Sequence, residues 1–328
     1  MRVTGVRGAA TVLVIAITAF LLQAGAQPAP QPAPSQNPSA RWVPIAAVNG
    51  WLSDSAVHEY FVTHTQVVQV GLSNIQLPIL MYHYIRVPPS IRTDQLGYNL
   101  SVSPDVFSAQ MDWLYSHDYH PVDFNDVRVY FAGTQPMPAR PVVITLDDGY
   151  ADLYTAAYPI LAVHGFKAVA YIVSSFVGQA RYVTASEVVQ MDRNGIEIAS
   201  HTVDHANLAR SSSANVMHQL VESKRWLEQL LGHPVLDFAY PSGQFNAQVV
   251  AEVRAAGYST AVTTLTSVDH SMADRYTWAR VRVGGGESMS DFVLNLGPAM
   301  PSTTITTVDV ETPEEPPPVL VRSGLDFK

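Results

Sequence analysis

Two adjacent carboxylates, Asp147 and Asp148, stand immediately before Gly149, and two imidazoles, His201 and His205, stand four residues apart. Carboxylate and neutral imidazole are the side chains that hold zinc and similar divalent ions. The sequence has no cysteine, so any metal must be held by His, Asp or Glu. Neighbouring side chains on an extended chain point in different directions. One of the two carboxylates can therefore bind a metal while the other faces a substrate, and Gly149 permits a tight turn directly after them. Each motif alone has an ordinary alternative, since Asp-Asp-Gly is common in turns and paired histidines are common on surfaces. Taken together, Asp148, His201 and His205 make three ligands. Three protein ligands leave positions open for water and substrate, which is the pattern of a catalytic site. Such an ion would polarise an amide carbonyl and lower the pKa of water bound to it.

The elements that must position these groups are legible as alternating strands and helices over 77–297. Leu77-Pro-Ile-Leu-Met-Tyr82, Pro141-Val-Val-Ile-Thr-Leu146, Lys167 to Val173, Ile196-Glu-Ile-Ala-Ser200, Val235 to Tyr240, Tyr258 to Thr263 and Trp278 to Val283 read as strands. Ser103-Pro104 starts a helix, with Ser as the cap and Pro in the first turn. Further helices are expected over 152–163, from Thr184 to near Gly195, over Ser212 to Leu231, and over 246–256. This alternation implies parallel strands joined by crossover helices. The residues able to do chemistry fall just past strand ends: His83, then Asp147 and Asp148, then His201 and His205, then Pro241-Ser242-Gly243. In β/α barrels that rim carries the active site. His164, His218 and His233 lie on helices or helix ends and read as surface groups.

The flanks read differently. Arg2 and Arg7 precede an apolar run from Ala9 to Leu22, and Ala24-Gly25-Ala26 offers a cleavage site before Gln27. Residues 1–26 are therefore expected to be a signal peptide, with an uncleaved anchor as the alternative; the apolar run is short for a membrane span. Either way the chain is secreted or lies at the cell surface. Residues 27–76 form a spacer rich in Pro, Ala, Gln and Ser followed by an extension in which Ser53 to Thr65 could form a helix. Residues 298–328 are a Pro-, Glu- and Thr-rich tail expected to be disordered. A formal net charge of −9 argues against binding nucleic acid or an anionic membrane surface. Membrane contact is expected only if the N-terminal segment stays uncleaved, and nothing in the sequence points to a protein partner.

The motifs resemble those of a known family. Thr145-Leu-Asp-Asp-Gly149 is similar to the Thr-Phe-Asp-Asp-Gly motif of the NodB-homology polysaccharide deacetylases (carbohydrate esterase family 4). His201-Thr-Val-Asp-His205 resembles that family's His-Ser/Thr-x-x-His motif. Leu77 to His83, Ile196 to His201 and Phe238-Ala-Tyr-Pro-Ser-Gly243 look like the branch that deacetylates poly-N-acetylglucosamine. The resemblance covers nearly all of 77–297. It implies an α/β fold, a distorted (β/α) barrel of seven or eight strands, and a hydrolase that releases acetate from an N-acetylglucosamine-containing polysaccharide. It implies one divalent metal ion on Asp148, His201 and His205, with zinc the default and cobalt, nickel or iron the other candidates. It implies Asp147 as general base and His83 as general acid. Tyr240, Pro241, Ser242 and Gly243 would line the substrate groove, and a backbone N–H there, that of Ser242, would help the metal hold the oxyanion.

The chain departs from the family pattern at three places. Ala239 stands where many members carry an Arg that holds the catalytic Asp, and Arg280 is the candidate substitute. The late Leu-x-His motif that supplies the acid in other branches is missing from Asp291 to Leu296, which turns attention to His83. Leu146 replaces the Phe before the Asp pair, a mild apolar swap. The absent Arg motivates an alternative function, a catalytically weak carbohydrate-binding or polymer-assembly protein on the same fold.

Overall fold

A computed structural model describes residues 74–297 throughout. It also describes, in a separate unit, a two-residue antiparallel ladder of β1 (Ala40–Arg41) with β2 (Val67–Val68). The signal peptide, the helix over 53–65 and the tail over 298–328 lie outside the described residues. The expected 77–297 block lies inside a compact unit spanning 72–306.

Within that unit β3 (Asn74–Gln76) leads into β4 (Ile79–Tyr82), and β5 (Tyr84–Ile85) follows at once. Helix α1 (Gln95–Asn99) precedes β6 (Ser101–Val102), and α2 (Pro104–Ser116) begins at the Ser103 cap, whose Oγ accepts from the Val106 N–H. Next come β7 (His120–Pro121), α3 (Phe124–Phe131) and β8 (Pro141–Leu146). A π-helical turn over Leu153–Ala157 runs into α4 (Tyr158–His164), which Gly165 ends at φ 64°. Then β9 (Ala168–Ile172), α5 (Ala185–Arg193), β10 (Ile196–Ser200), α6 (Ser213–Leu231), β11 (Asp237–Ala239), α7 (Ala247–Ala255) and β12 (Thr260–Val262) alternate. A short β13 (Asp269–Ser271), β14 (Val281–Arg282) and α8 (Met289–Asn295) complete the chain of elements.

The strands lie side by side in the order β12-β11-β10-β9-β8-β4-β14, with β7 also against β8, and every pairing in this sheet is parallel. A further parallel bridge, Val262 to Trp278, brings the β12 edge round to the segment that leads into β14. The sheet is therefore curled into the expected distorted (β/α) barrel. Period-two alternation sorts its side chains. Leu80, Tyr82, Ile144, Leu146, Ala170, Ile172, Ile198 and Phe238 face the helices in one buried cluster. Ile79, Val143, Val169, Tyr171, Ala199, Ala239, Val262 and Trp278 fill the interior in another. Because all strands run the same way, their C-terminal ends share one rim. The opposite end is closed by α3 and by the antiparallel ladder of β3 with β13. There Trp278 is fully buried, stacked on Phe124 and Phe131, so it is a core residue rather than a groove residue.

Candidate metal centre and its surroundings

Strand alternation carries Val143 and Thr145 to the interior, and Asp147 continues that column into the barrel mouth. Asp148 then turns at φ 74° and Gly149 at φ 76°. Four of the non-glycine residues with positive φ lie in the rim loops: Asp148, Thr202, His205 and Ser242. Each such residue costs on the order of 1–3 kcal/mol and persists only where the surroundings impose it. Their gathering at one rim sets these loops apart as built for placement rather than for stability.

The Asp148, His201 and His205 ligand atoms lie within 4.8 Å of one another. Asp148 Oδ1 is 3.3 Å from His201 Nε2 and 3.4 Å from His205 Nε2. His201 is buried, and its Nδ1 sits 2.7 Å from the Ala239 carbonyl oxygen. A carbonyl only accepts, so Nδ1 carries the hydrogen and Nε2 presents a lone pair. That lone pair faces a carboxylate oxygen at 3.3 Å. Two imidazole nitrogens and a carboxylate oxygen so close together share a proton or a cation, and this donor set fits a divalent ion. The carbonyl behind His201 supplies the orientation that metal-bound imidazoles need. Thr202 Oγ1 accepts from the His205 N–H at 3.0 Å and ties the loop that presents the second imidazole.

Burial pushes the Asp148 carboxyl up, but the hydrogen bond and charge of His201 outweigh it and hold the group far below the usual carboxylate range. For His201, burial lowers the pKa, and the Asp148 hydrogen bond with the Asp147 and Asp148 charges reverses the sign, so the imidazole is raised. His205 is lowered, by burial first and then by the His201 charge.

Beside this cluster Asp147 is bound by Arg280, which is wholly buried. Arg280 Nη1 donates to Asp147 Oδ1 and Nη2 to Oδ2, both at 2.7 Å. The guanidinium is itself fixed by Nε to the Thr263 carbonyl at 2.9 Å and by Nη1 to Thr145 Oγ1 at 3.0 Å. Ala239, at the family's Arg position, sits in the same interior layer with a side chain too short to reach Asp147. The arginine thus comes from across the barrel. Burial pushes Asp147 up, yet the Arg280 charge and hydrogen bonds keep it below its ordinary value and ionised.

His83 Nε2 lies 3.9 Å from Asp147 Oδ2, and its buried Nδ1 has no hydrogen-bond partner among the described residues. Burial lowers its pKa, Asp147 and Asp148 oppose that, and the charges of Arg280 and Arg282 add to it. The imidazole is therefore neutral at pH 7.

The loop after β11 is mixed. Ser242 is exposed at φ 53°, and its N–H makes no hydrogen bond among the described residues. Gly243, at φ 65°, lies against Thr264, where a Cβ would collide. Pro241 is buried. Tyr240 corrects the expectation that its ring lines a groove: it is fully buried against Phe238 and Phe245, with its hydroxyl donating to the Tyr276 carbonyl at 2.9 Å. Ala239 faces inward, so Tyr240 must face the helices. An aromatic stack also stands on the rim. Tyr150 lies over Tyr84 at 3.7 Å and beside Tyr182 at 5.2 Å, and the Arg86 guanidinium covers Tyr84 at 3.6 Å.

The comparisons with known proteins agree with this architecture. Residues 134–261 match the family model described as polysaccharide deacetylase. YxkH of Bacillus subtilis, assigned as a polysaccharide deacetylase, is 30% identical over 217 residues, which cover 66% of this chain and 75% of that one. The poly-beta-1,6-N-acetyl-D-glucosamine N-deacetylase of Staphylococcus aureus is 28% identical over 173 residues, 48% of this chain and 59% of its own. Among solved structures, the Streptococcus pyogenes deacetylase PplD in complex with acetate is similar with a TM-score of 0.63 and 28% identity, covering 69% of this chain and 100% of that one.

Proposed function

This chain belongs to the polysaccharide deacetylase family, NodB-homology type, a family of hydrolases, and from that premise we propose that it removes N-acetyl groups from an N-acetylglucosamine-containing polymer outside the cytoplasm, with one divalent metal ion. The observation that carries the reading is the convergence of Asp148, His201 and His205 beside an Asp147 held ionised by Arg280. Zinc is the default metal for two imidazoles and a carboxylate, with cobalt, nickel or iron as substitutes. The substrate class rests on the staphylococcal relative, of which the chain spans 59%, and the location on the signal-like N-terminus.

When bound, the ion supplies Lewis acidity, polarising the acetamide carbonyl and acidifying water. Asp147 accepts the proton that the attacking water loses, because Arg280 keeps its carboxylate available. The departing sugar amine needs a proton, or the addition reverses. Neutral His83, whose Nε2 lies 3.9 Å from Asp147 Oδ2, takes over the proton that Asp147 has accepted, and the imidazolium so formed protonates the departing amine, which restores both groups. The unbonded Ser242 N–H is the donor available for the developing oxyanion. Arg280 takes the place of the missing motif arginine, which removes the reason to favour a catalytically weak binding protein.

The test is acetate release from β-1,6-linked N-acetylglucosamine oligomers, chitin oligomers and peptidoglycan glycans. The protein is stripped by chelator and reloaded with each metal. Release that is abolished by chelator and restored by one divalent ion supports the reading. A folded, metal-loaded protein that releases no acetate from any polymer overturns it.

A further inference from the structure

We propose that the cleft next to this site is a subsite for an anionic group carried by the polymer, a carboxylate or a phosphate, and that Arg282 is the residue that reads it. The inference rests on the deacetylase reading and narrows its substrate class. Arg280 and Arg282 alternate with buried Val281 and Val283, so both guanidinium groups leave the backbone on the barrel-interior side. Arg280 lies deep and is consumed by Asp147, Thr145 and Thr263. Arg282 lies one pleat nearer the rim, in register with Met81 and thus two residues from His83. Its side chain is partly buried and partly open to solvent, and makes no hydrogen bond or ion pair among the described residues.

What Arg282 lines is a cleft of about 660 Å³, with Leu96, Asn99 and Leu100 on one side and Gly284 to Gly286 on the other. Its size is that of a small-molecule or sugar pocket. The glycines let the loop approach α1 closely at the edge of the cleft. A Cβ on Gly284 or Gly285 would run into the backbone oxygen of Asn99 or Tyr98, so the loop packs backbone to backbone against α1 and offers no side chain before Glu287. Two acids share the lining, and Glu287 Oε2 is buried with no hydrogen-bond partner among the described residues. Glu287 Oε1 accepts from Asn295 Nδ2 at 2.7 Å. Asp291 Oδ2 accepts from Ser288 N at 3.1 Å and Ser288 Oγ at 2.7 Å, capping α8. Arg282 is the one cationic side chain of this lining, and it makes no ion pair with either acid among the described residues.

A guanidinium offers a fork of donors matched to carboxylate and phosphate oxygens. Burial, then the Arg280 charge, act against its protonated form and are only partly opposed by Asp147, so an incoming anion relieves an unfavourable arrangement. The chain as a whole carries a formal charge of −9 and repels anionic polymers at long range. An unpaired cation at the mouth is where such a polymer would be specified.

The experiment compares kcat/KM for acetate release by the zinc-loaded protein on three N-acetylated oligosaccharides of equal length. One is neutral, one carries a carboxylate and one carries a phosphate. The wild type is expected to prefer an anionic one by roughly ten- to hundredfold, the range of a charge-assisted hydrogen bond. The two anionic arms tell which group is meant. Arg282→Gln should bring the ratio close to one through KM, and Arg282→Lys should keep part of it. Equal kcat/KM on all three, or a preference that survives Arg282→Gln, overturns the proposal. If no oligosaccharide releases acetate, the deacetylase reading has failed. The subsite is then judged by calorimetric titration of the same three oligosaccharides, where equal affinity of wild type and Arg282→Gln overturns it.

Discussion

Both ends of the barrel bury charge, and they do so in the same columns of side chains. The inward column of β10 runs Glu197, Ala199, His201, and that of β11 runs Asp237, Ala239, Pro241. Where the strands begin, the two carboxyl groups share Arg128 and each has a further donor. Asp237 takes Arg128 Nη1 on both oxygens at 2.7 Å and the Thr260 hydroxyl besides. Glu197 takes the Phe124 N–H at 2.8 Å and lies 3.4 Å from Arg128 Nη2. Where the strands end, Asp148 Oδ1 faces two imidazole nitrogens at 3.3 and 3.4 Å, and His83 Nδ1 has no partner among the described residues. A buried charge that is fully bonded closes a barrel, whereas a buried charge that awaits something opens it to chemistry.

The sharpest way to break this contrast is to remove a rim ligand. His201→Ala should abolish binding of the divalent ion and bring acetate release to background. Metal content by mass spectrometry alongside the assay checks this, and a variant that still holds stoichiometric metal removes His201 from the ligand set. Asp147→Asn should keep the metal and lower turnover by about 10²–10⁴-fold, the range for one acid or base. Loss of metal in that variant would merge the two carboxylates into one role.

The two arginines give the direct comparison between ends. Arg280→Met and Arg128→Met each strand a buried carboxylate, at a cost of about 3–5 kcal/mol, with Arg128 at the low end because it is partly exposed. Denaturant unfolding should show both losses. Only Arg280→Met should move the acid limb of the pH–rate profile. Without that guanidinium, burial dominates Asp147, its pKa rises, and activity appears only at higher pH. Arg128→Met should leave the profile of the folded fraction where it was. An unshifted profile in Arg280→Met would reduce Arg280 to a structural pair like its counterpart.

Much of this was legible in the sequence, for reasons that differ by element. Pro141–Leu146 and Ile196–Ser200 were readable to the residue because each is a short, mostly apolar, β-rich run with polar groups directly after it. The α2, α5 and α6 helices declared themselves by their Ser103, Thr184 and Ser212 caps. The α3 helix was missed because Phe124, Val127, Tyr130 and Phe131 are diluted by Asn125, Asp126 and Arg128. The β3–β13 ladder was missed because three-residue strands leave no period to detect. At the site, spacing and strand ends placed Asp148, His201 and His205; the Arg280–Asp147 pair spans 133 residues, beyond any local rule, and Arg280 was reached only through the family's missing arginine. Arg282 was reachable: the alternation that turns Arg280 inward turns Arg282 inward too.

The smallest effect concerns two histidines, one at each end, that share a buried Nδ1 with no partner among the described residues. His270, at the closed end, donates from Nε2 to the Leu77 carbonyl at 3.0 Å, which leaves Nδ1 as a bare acceptor beside Trp278. Burial pulls its pKa down to about 4, against a weak opposite pull from that carbonyl and from Asp274 and Asp269. The sign follows from the depressed value. The unfolded chain takes up a proton near pH 6.5, but the folded chain resists until about pH 4. The stability tied to a neutral His270 is thus complete above pH 6.5 and is lost as pH falls through that window, up to about 3 kcal/mol in all. His270→Gln, which keeps a donor for Leu77, should flatten the pH dependence of unfolding between pH 6.5 and 4 and leave the pH–rate profile unchanged. His83→Gln should do the reverse, cutting turnover by about 10²–10⁴-fold while changing the acid unfolding curve less. His83 has Asp147 and Asp148 to stabilise a proton and His270 has no carboxylate so close. If both variants moved the same observable, the two ends of the barrel would differ in exposure alone and not in the use made of their buried charge.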